Sequence, residues 1–226
     1  MIKDIGKRIL RTLGNYRQEE YKQTLAMMEE CSRILDAGCG TGTFLEACGN
    51  RACGIDINPD NIQYCLEKGL NAVVGSVLEI PFDAECFDGV HCSHVMQVFG
   101  PDEAARMIRE LGRVTKPGGV IVISTLNWFP HFFRHPENVR PYPPDALWRY
   151  FAMAQGASSP MYPNMPRLSQ EAIWLRHPPL VELFSSTSKN IDGLSSIINM
   201  IQYRICFRKY WRYNSYTVKL RRTEIT

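Results

Sequence analysis

Short apolar runs alternate with stretches of helical period through the first half of the chain. Arg33–Ala37 reads as a buried strand running into glycines, and Arg51–Ile57 as a second strand with an acid near its end. Ala72–Ser76 is a short third, Phe87–Cys92 a fourth, and Val120–Ser124 a fifth that is apolar enough to be buried on both faces. Tyr21, Leu25 and Met28 recur at i, i+4 and i+7 and predict a helix over residues 17–31. A second helix starts at Thr43–Cys48. Asn58–Pro59 opens a third in the cap-then-proline order, running to about Lys68. Asp102 is expected to cap a fourth that reaches Thr115, before a turn at Lys116–Gly119. Strands alternating with helices imply a parallel sheet covered on both faces. Ahead of all this, Ile2, Ile5, Ile9 and Leu13 share one helical face. A helix packed on the domain is preferred there over a presequence or a membrane-surface helix, since Asp4 and the shortness of the stretch weaken both.

The pattern changes at Asn127. Residues 127–179 hold ten of the fourteen prolines and three of the four tryptophans. Periodicity survives only around Pro144–Met153 and Ser169–Arg176, so this stretch reads as an irregular insertion folded over the end of the sheet. Regular patterning returns with Leu180–Thr187, a strand candidate, and with Leu194, Ile197, Ile198, Ile201 and Ile205, which mark an amphipathic helix. Ser215–Arg222 alternates as an edge or antiparallel strand does. The expected organisation is an N-terminal helical segment (1–32), a core (33–126), a cap (127–179) and a C-terminal completion of the sheet (180–226).

Composition bounds the reading without deciding it. The 226 residues are 45% hydrophobic and 22% charged, ordinary values for a soluble globular domain. A net charge of +3 is too small to argue for nucleic acid. The eight cysteines form no CxxC pair and suit reduced thiols in a cytoplasmic protein. No apolar run reaches the length of a membrane span, and the N-terminus lacks the apolar core of a signal peptide.

The chemistry concentrates at Asp36-Ala37-Gly38-Cys39-Gly40-Thr41-Gly42. Glycines at alternate positions between a strand and a helix let backbone approach a ligand closely, and the helix aims N–H groups at the loop. The dinucleotide fingerprint needs its third glycine three residues after the second, and here it comes after two; a phosphate loop needs a following Lys-Ser/Thr, which is missing. The order Leu-Asp36-Ala-Gly-Cys-Gly-Thr-Gly, then Gly-Ile-Asp56-Ile, then Gly75-Ser76 with Ile80-Pro81-Phe82 and Phe87-Asp88, then Lys116-Pro-Gly-Gly119, resembles a class I S-adenosylmethionine-dependent methyltransferase across residues 30–126. The resemblance implies a doubly wound, Rossmann-like α/β sheet of seven strands, the last antiparallel, with the irregular cap inserted after the fifth.

It also implies a cofactor site for S-adenosylmethionine, released as S-adenosylhomocysteine. Gly38, Cys39, Gly40 and Gly42 would meet the amino-acid end through loop N–H groups, with Asp36 below them facing the ammonium. Asp56 would accept both ribose hydroxyls. Ile57 would pack on the adenine, Ser76 would stand where the family usually has an aspartate, and Val77 would offer a backbone N–H. Ser93 and His94 follow the fourth strand, where the family places the reactive methyl. His94 is the candidate general base if the acceptor is a hydroxyl or a protonated amine, against the alternative that it only lines the pocket. His91, within the strand, reads as a satisfied core histidine.

Other signals weigh less. The spacings His91/His94 and His131/His135 occur in some metal sites, but residues three apart on a strand face opposite ways and Pro136 opposes a helix, so no metal is expected. Cys39 and Cys92 read as packing residues, because methyl transfer from a sulfonium needs no nucleophilic thiol. Trp128, Phe129, Phe132, Phe133, Trp148, Tyr150, Phe151 and Tyr162 supply either an acceptor wall or the cap's own core. Ser124-Thr125-Leu126-Asn127 resembles the end of the fifth strand in quinone-biosynthesis O-methyltransferases. Basic residues from Arg204 to Arg222 interleave with aromatics; a solvated face is preferred there, peripheral membrane contact second, RNA third. The expected function is methyl transfer to a small aromatic or lipophilic acceptor, at oxygen first, nitrogen second and carbon third. The alternatives are a nucleic-acid methyltransferase, weakened by Ser93-His94-Val95-Met96 where base amino-group enzymes carry Asn/Asp-Pro-Pro-Tyr/Phe, and a non-catalytic cofactor-binding regulatory or partner protein.

Overall fold

Glycine, proline and capping side chains set many of the element boundaries, not all of them where the sequence predicts. The computed structural model describes residues 16–127, 132–144, 164–176 and 215–223. Among these lie α1 (Tyr16–Met27), β1 (Ile34–Ala37), α2 (Thr43–Cys48), β2 (Ala52–Asp56), α3 (Pro59–Glu67), β3 (Ala72–Val74), β4 (Phe87–Ser93), α4 (Pro101–Val114), β5 (Thr115–Leu126), β6 (Leu168–Arg176) and β7 (Ser215–Arg222). The strands form one seven-stranded sheet in the order β3-β2-β1-β4-β5-β7-β6. Neighbours from β3 to β5 run parallel, and β7 is antiparallel to both β5 and β6. The doubly wound fold with an antiparallel last strand is as expected.

Both faces of the sheet are buried because successive residues of β5 point opposite ways. Ile121 and Ile123 join Leu35, Ala37, Ile55, Val218 and Leu220 under α4, which contributes Ala104, Met107, Ile108 and Leu111. Val120 and Val122 join Ile34 on the other face, under Met28, Phe44, Leu45, Ile62 and Cys65. Burying a side chain such as Met107 or Ile108 stabilises by about 1.5–3 kcal/mol each.

Element boundaries follow local chemistry. Asn58 caps α3 by accepting from the Asp60 N–H at 2.9 Å, with Pro59 in the first turn. Asp102 does not cap α4. The N-cap is Gly100, whose N–H donates to Glu103 Oε2 at 3.2 Å, because Pro101 fits best at the first helical position and so fixes the start ahead of Asp102. The expected turn at Lys116–Gly119 is an excursion inside β5: pairing with β4 jumps from Phe87↔Thr115 to Gly89↔Val120, and Gly118 has φ +76°.

The stretch read as a cap holds a strand of the sheet. Leu168–Arg176 pairs antiparallel with β7 and forms the outer edge. Its register slips between Gln170 and Ala172, and every residue after Leu168 is partly or fully exposed, so the periodicity at Ser169–Arg176 does not by itself mark it as part of the sheet. The predicted leading helix at 2–13, most of the aromatic wall, the strand at 180–187, the helix at 194–205 and the basic residues from Arg204 to Arg212 lie outside the described residues. The basic residues of β7 are spent within the molecule. Lys219 pairs with Glu30 at 2.8 Å and Glu171 at 3.3 Å, Arg221 with Glu30 at 2.6 Å and with Glu171, and Arg222 with Glu85 at 2.7 Å.

Candidate functional site

The glycine loop leaves β1 at the carboxyl end of the sheet, where ligands of open α/β folds bind. Gly38 has φ +83°, and a Cβ there would come within 2.5 Å of Val95 Cγ2, so both conformation and space demand glycine. Gly40 also has positive φ, +52°, but a Cβ on it would meet nothing within 4 Å. The loop is thus held tight against protein at Gly38 and open at Gly40.

That open side borders a cavity of ≈ 210 Å³, lined among others by Asp36, Gly38, Cys39, Gly40, Ser93 and His94. These six predicted residues are brought together. Gly42, at the N-cap of α2 with φ +81°, packs against Leu70 and Cys65 and does not line the cavity. The N–H groups of Gly38 and Cys39 donate to Ile55 O at 2.8 and 2.9 Å, and that of Gly42 to Cys39 O at 3.0 Å. The loop's donors are therefore largely engaged within the protein, against the expectation that they all face a ligand.

Asp56 stands at the end of β2 and braces the loop from the side. Its Oδ2 accepts from the Gly40 N–H at 2.9 Å; Oδ1 accepts from the Asn58 N–H at 2.9 Å and from Asn61 Nδ2 at 3.1 Å. Ile57 follows, 75% exposed beside the carboxylate. Ser76 lies after β3 and accepts from the Leu78 N–H at 3.1 Å, while the Val77 side chain is buried in the core. Asp56, Ile57, Ser76 and Val77 do not line the cavity. The Gly75 N–H donates to Asp56 O at 3.0 Å, which joins Ser76 and Val77 to the Asp56 end of the site.

The floor of the cavity is a buried pair. Asp36 Oδ1 lies 2.7 Å from His91 Nδ1, and the His91 ring stacks on Phe44 with centroids 3.9 Å apart. His91 Nε2 is buried and has no partner among the described residues. His91 is the core histidine expected, satisfied at one nitrogen only.

At the rim, α1 brings a residue that the sequence reading missed. Glu20, 4% exposed, accepts from Ser93 Oγ at 3.0 Å, from His94 Nε2 at 3.0 Å and from Arg176 at 3.3 Å. Burial acts to raise its pKa, but the hydrogen bond and charge of His94, the charge of Arg176 and the Ser93 hydroxyl outweigh it and bring the carboxyl down to about 2. Tyr21, Thr41, Thr43 and Phe44 also line the cavity. No sequence signal marks Glu20, because its partners are 73, 74 and 156 residues away.

Burial pushes the Cys39 and Cys92 thiols far above the ordinary range, which fits packing rather than nucleophilic roles. His91 and His94 engage different carboxylates, and no cluster of three potential metal ligands occurs among the described residues. His135 is exposed beside Glu137, while His131 lies outside the described residues. An orphaned buried nitrogen, an open glycine at positive φ and carboxylates at both ends fit a polar, hydroxyl-bearing and partly cationic ligand such as S-adenosylmethionine.

Residues 35–123 match the family model of the methyltransferase domain. A malonyl-[acyl-carrier protein] O-methyltransferase from Herminiimonas arsenicoxydans is 37% identical over 100 residues, 41% of this chain and 36% of that protein. A tRNA (carboxymethyluridine(34)-5-O)-methyltransferase from Arabidopsis thaliana is 35% identical over 97 residues, 41% of this chain and 24% of that protein. Curated relatives such as these are spanned over only 16% to 44% of their own length. A S-adenosylmethionine-dependent methyltransferase structure from Archaeoglobus fulgidus superposes with a TM-score of 0.61 at 21% identity, covering 94% of this chain and 97% of that one. The match over residues 35–123 takes in the glycine loop and the acids that frame it, so this stretch of the chain carries the likeness to the methyltransferase domain family.

Proposed function

We propose that this chain transfers the methyl group of S-adenosylmethionine to a small aromatic or lipophilic acceptor, at oxygen in preference to nitrogen or carbon. The observation that carries the reading is the cavity between the open face of Gly40 and the Ser93–His94 rim. When bound, the cofactor supplies a methyl on a sulfonium sulfur that leaves as a neutral thioether with the carbon–sulfur electron pair. Asp56 would hold the ribose hydroxyls, Ile57 would cover the adenine, and Ser76 with the Val77 backbone would meet its edge. Asp36 and the loop from Gly38 to Gly42 would hold the amino-acid end. Ser93 and His94 would stand by the acceptor, with His94 taking its proton. Alignment and exclusion of water would supply most of the rate. The O-methyltransferase names of both relatives support oxygen as the atom.

The tRNA methyltransferase relative favours RNA as the second reading. Pairing of Lys219, Arg221 and Arg222 with acids speaks against a basic docking face on β7. No helix among the described residues is long and apolar enough to cross a membrane, and the seven described cysteines are free, which supports a cytoplasmic setting. The test is labelled cofactor supplied with a metabolite extract and, separately, with bulk tRNA. Label in an organic-extractable product is expected, and label in tRNA alone would overturn the small-acceptor reading.

A further inference from the structure

His94 has a backbone that few residues other than glycine adopt. Its φ is +56°, a conformation that costs on the order of 1–2 kcal/mol for a residue with a Cβ. It is held there from two sides. The His94 N–H donates to Ser124 O at 2.8 Å, and Gln97 Nε2 donates to His94 O at 2.7 Å. Gln97 is itself buried and accepts from Thr125 Oγ1 at 3.2 Å. The strain therefore aims the ring, and the ring meets Glu20 through Nε2.

The Glu20 carboxylate has little capacity left for a ligand. Oε1 takes Ser93 Oγ and His94 Nε2, both at 3.0 Å; Oε2 takes Arg176, and lies 3.3 Å from His94 Nε2 as well. Its side chain is 5% exposed, whereas that of His94 is 34% exposed at the cavity. A carboxylate so saturated acts on its neighbours rather than on a substrate. With Nε2–H donating to Glu20, the other ring nitrogen carries the lone pair.

From this geometry we infer that Glu20 is a positioning residue for methyl transfer: it fixes the His94 ring with Nε2–H toward itself and Nδ1 free to take the acceptor's proton, and Arg176 of β6 anchors it there. The inference rests on the proposed methyl-transfer reading. The acceptor's O–H gives its proton to Nδ1, and its oxygen keeps the electron pair with which it takes the methyl. The imidazolium so formed is stabilised by the carboxylate behind it. Other charged or titratable groups at the same cavity are Asp36 on β1, Cys39 in the glycine loop, His91 on β4 and Tyr21 on α1, with Arg176 on β6 behind Glu20.

The experiment compares the native chain with Glu20→Gln, Glu20→Asp, His94→Ala and the Glu20→Gln/His94→Ala double variant. In the cofactor-free chain, the 15N signals of the neutral His94 ring are expected to show Nε2–H as the dominant tautomer, and a mixture of the two tautomers in Glu20→Gln. With labelled S-adenosylmethionine and a fixed metabolite extract, turnover of Glu20→Gln is expected to fall by about tenfold or more while KM for the cofactor stays within about threefold. Glu20→Asp, which keeps the charge, recovers part of the loss, and it serves as the test if Glu20→Gln does not fold. The double variant is expected to be no slower than His94→Ala alone, since Glu20 acts through His94. Native turnover in Glu20→Gln, additive losses in the double variant, a loss confined to KM, or an unchanged His94 tautomer in Glu20→Gln each overturns the assignment. A native chain that binds cofactor but labels nothing overturns the methyl-transfer reading and this role with it; an active native chain with an equally active Glu20→Gln overturns this role alone.

Discussion

Asp36 Oδ1 and His91 Nδ1 lie 2.7 Å apart on adjacent strands, and both side chains are almost wholly buried. The β1–β4 register pairs the two residues directly, so their side chains stand on the same face of the sheet. Removing the ring would leave a carboxylate buried without its partner. His91→Ala is expected to lose about 3–5 kcal/mol of stability, and adding Asp36→Asn should recover part of that. Urea unfolding measures both; a loss below about 1 kcal/mol for His91→Ala would show that the carboxylate does not depend on the ring.

Asp56 serves the loop before any ligand arrives, through its bond from the Gly40 N–H. Asp56→Ala should therefore weaken S-adenosylhomocysteine by more than the loss of ribose contacts alone, about a hundredfold or near 3 kcal/mol. Isothermal titration would read it. Asp56→Asn keeps an acceptor for Gly40 and should fall between the two. Unchanged affinity in Asp56→Ala would remove Asp56 from the ribose site.

The carboxyl of Glu20 titrates at about 2 in the folded chain against an ordinary 4.5. The folded value is the lower one, so the stabilisation is fully present above pH 4.5 and is lost as pH falls toward 2, amounting to a few kcal/mol at the order-of-magnitude level. Urea unfolding between pH 3 and 6 should show a shallower decline for Glu20→Gln than for the native chain. Parallel declines would assign the acid sensitivity elsewhere.

S-adenosylhomocysteine should raise the Tm in a concentration-dependent way, since a ligand at a hundred times its Kd adds about 2.7 kcal/mol to the folded state. Differential scanning fluorimetry is sufficient. No shift at millimolar ligand would contradict a cofactor site at the glycine loop.

Much of the fold was readable because its signals are local. Gly38, Gly40 and Gly42 take positive φ at three alternate positions, and Asn58–Pro59 caps the next helix within four residues of the strand it follows. Asp56 is legible as an acid at a strand end. What was missed is non-local or irregular. The bulge at Gln170–Ala172 shifts the register of β6, so the periodicity at Ser169–Arg176 does not by itself mark an edge strand of the sheet. Glu20 sits beside Glu19 in a helix whose sequence gives no reason to prefer one acid; only folding puts Ser93, His94 and Arg176 around it. That the Ile55 carbonyl takes two of the loop N–H groups is a contact between neighbouring strands, and the glycine pattern alone does not reveal it.

The strand order carries a consequence for biosynthesis. β7 lies between β5 and β6, so β6 has no neighbour in the sheet until the later strand has left the ribosome. Until then β5 offers its open side, with the Val120–Ile123 run ready to pair with any passing strand. Arg176 likewise waits for β7 to dock β6 before it can reach Glu20. The rim of the cavity is thus among the last parts of the molecule to assemble, after an interval in which the apolar side of β5 stands open.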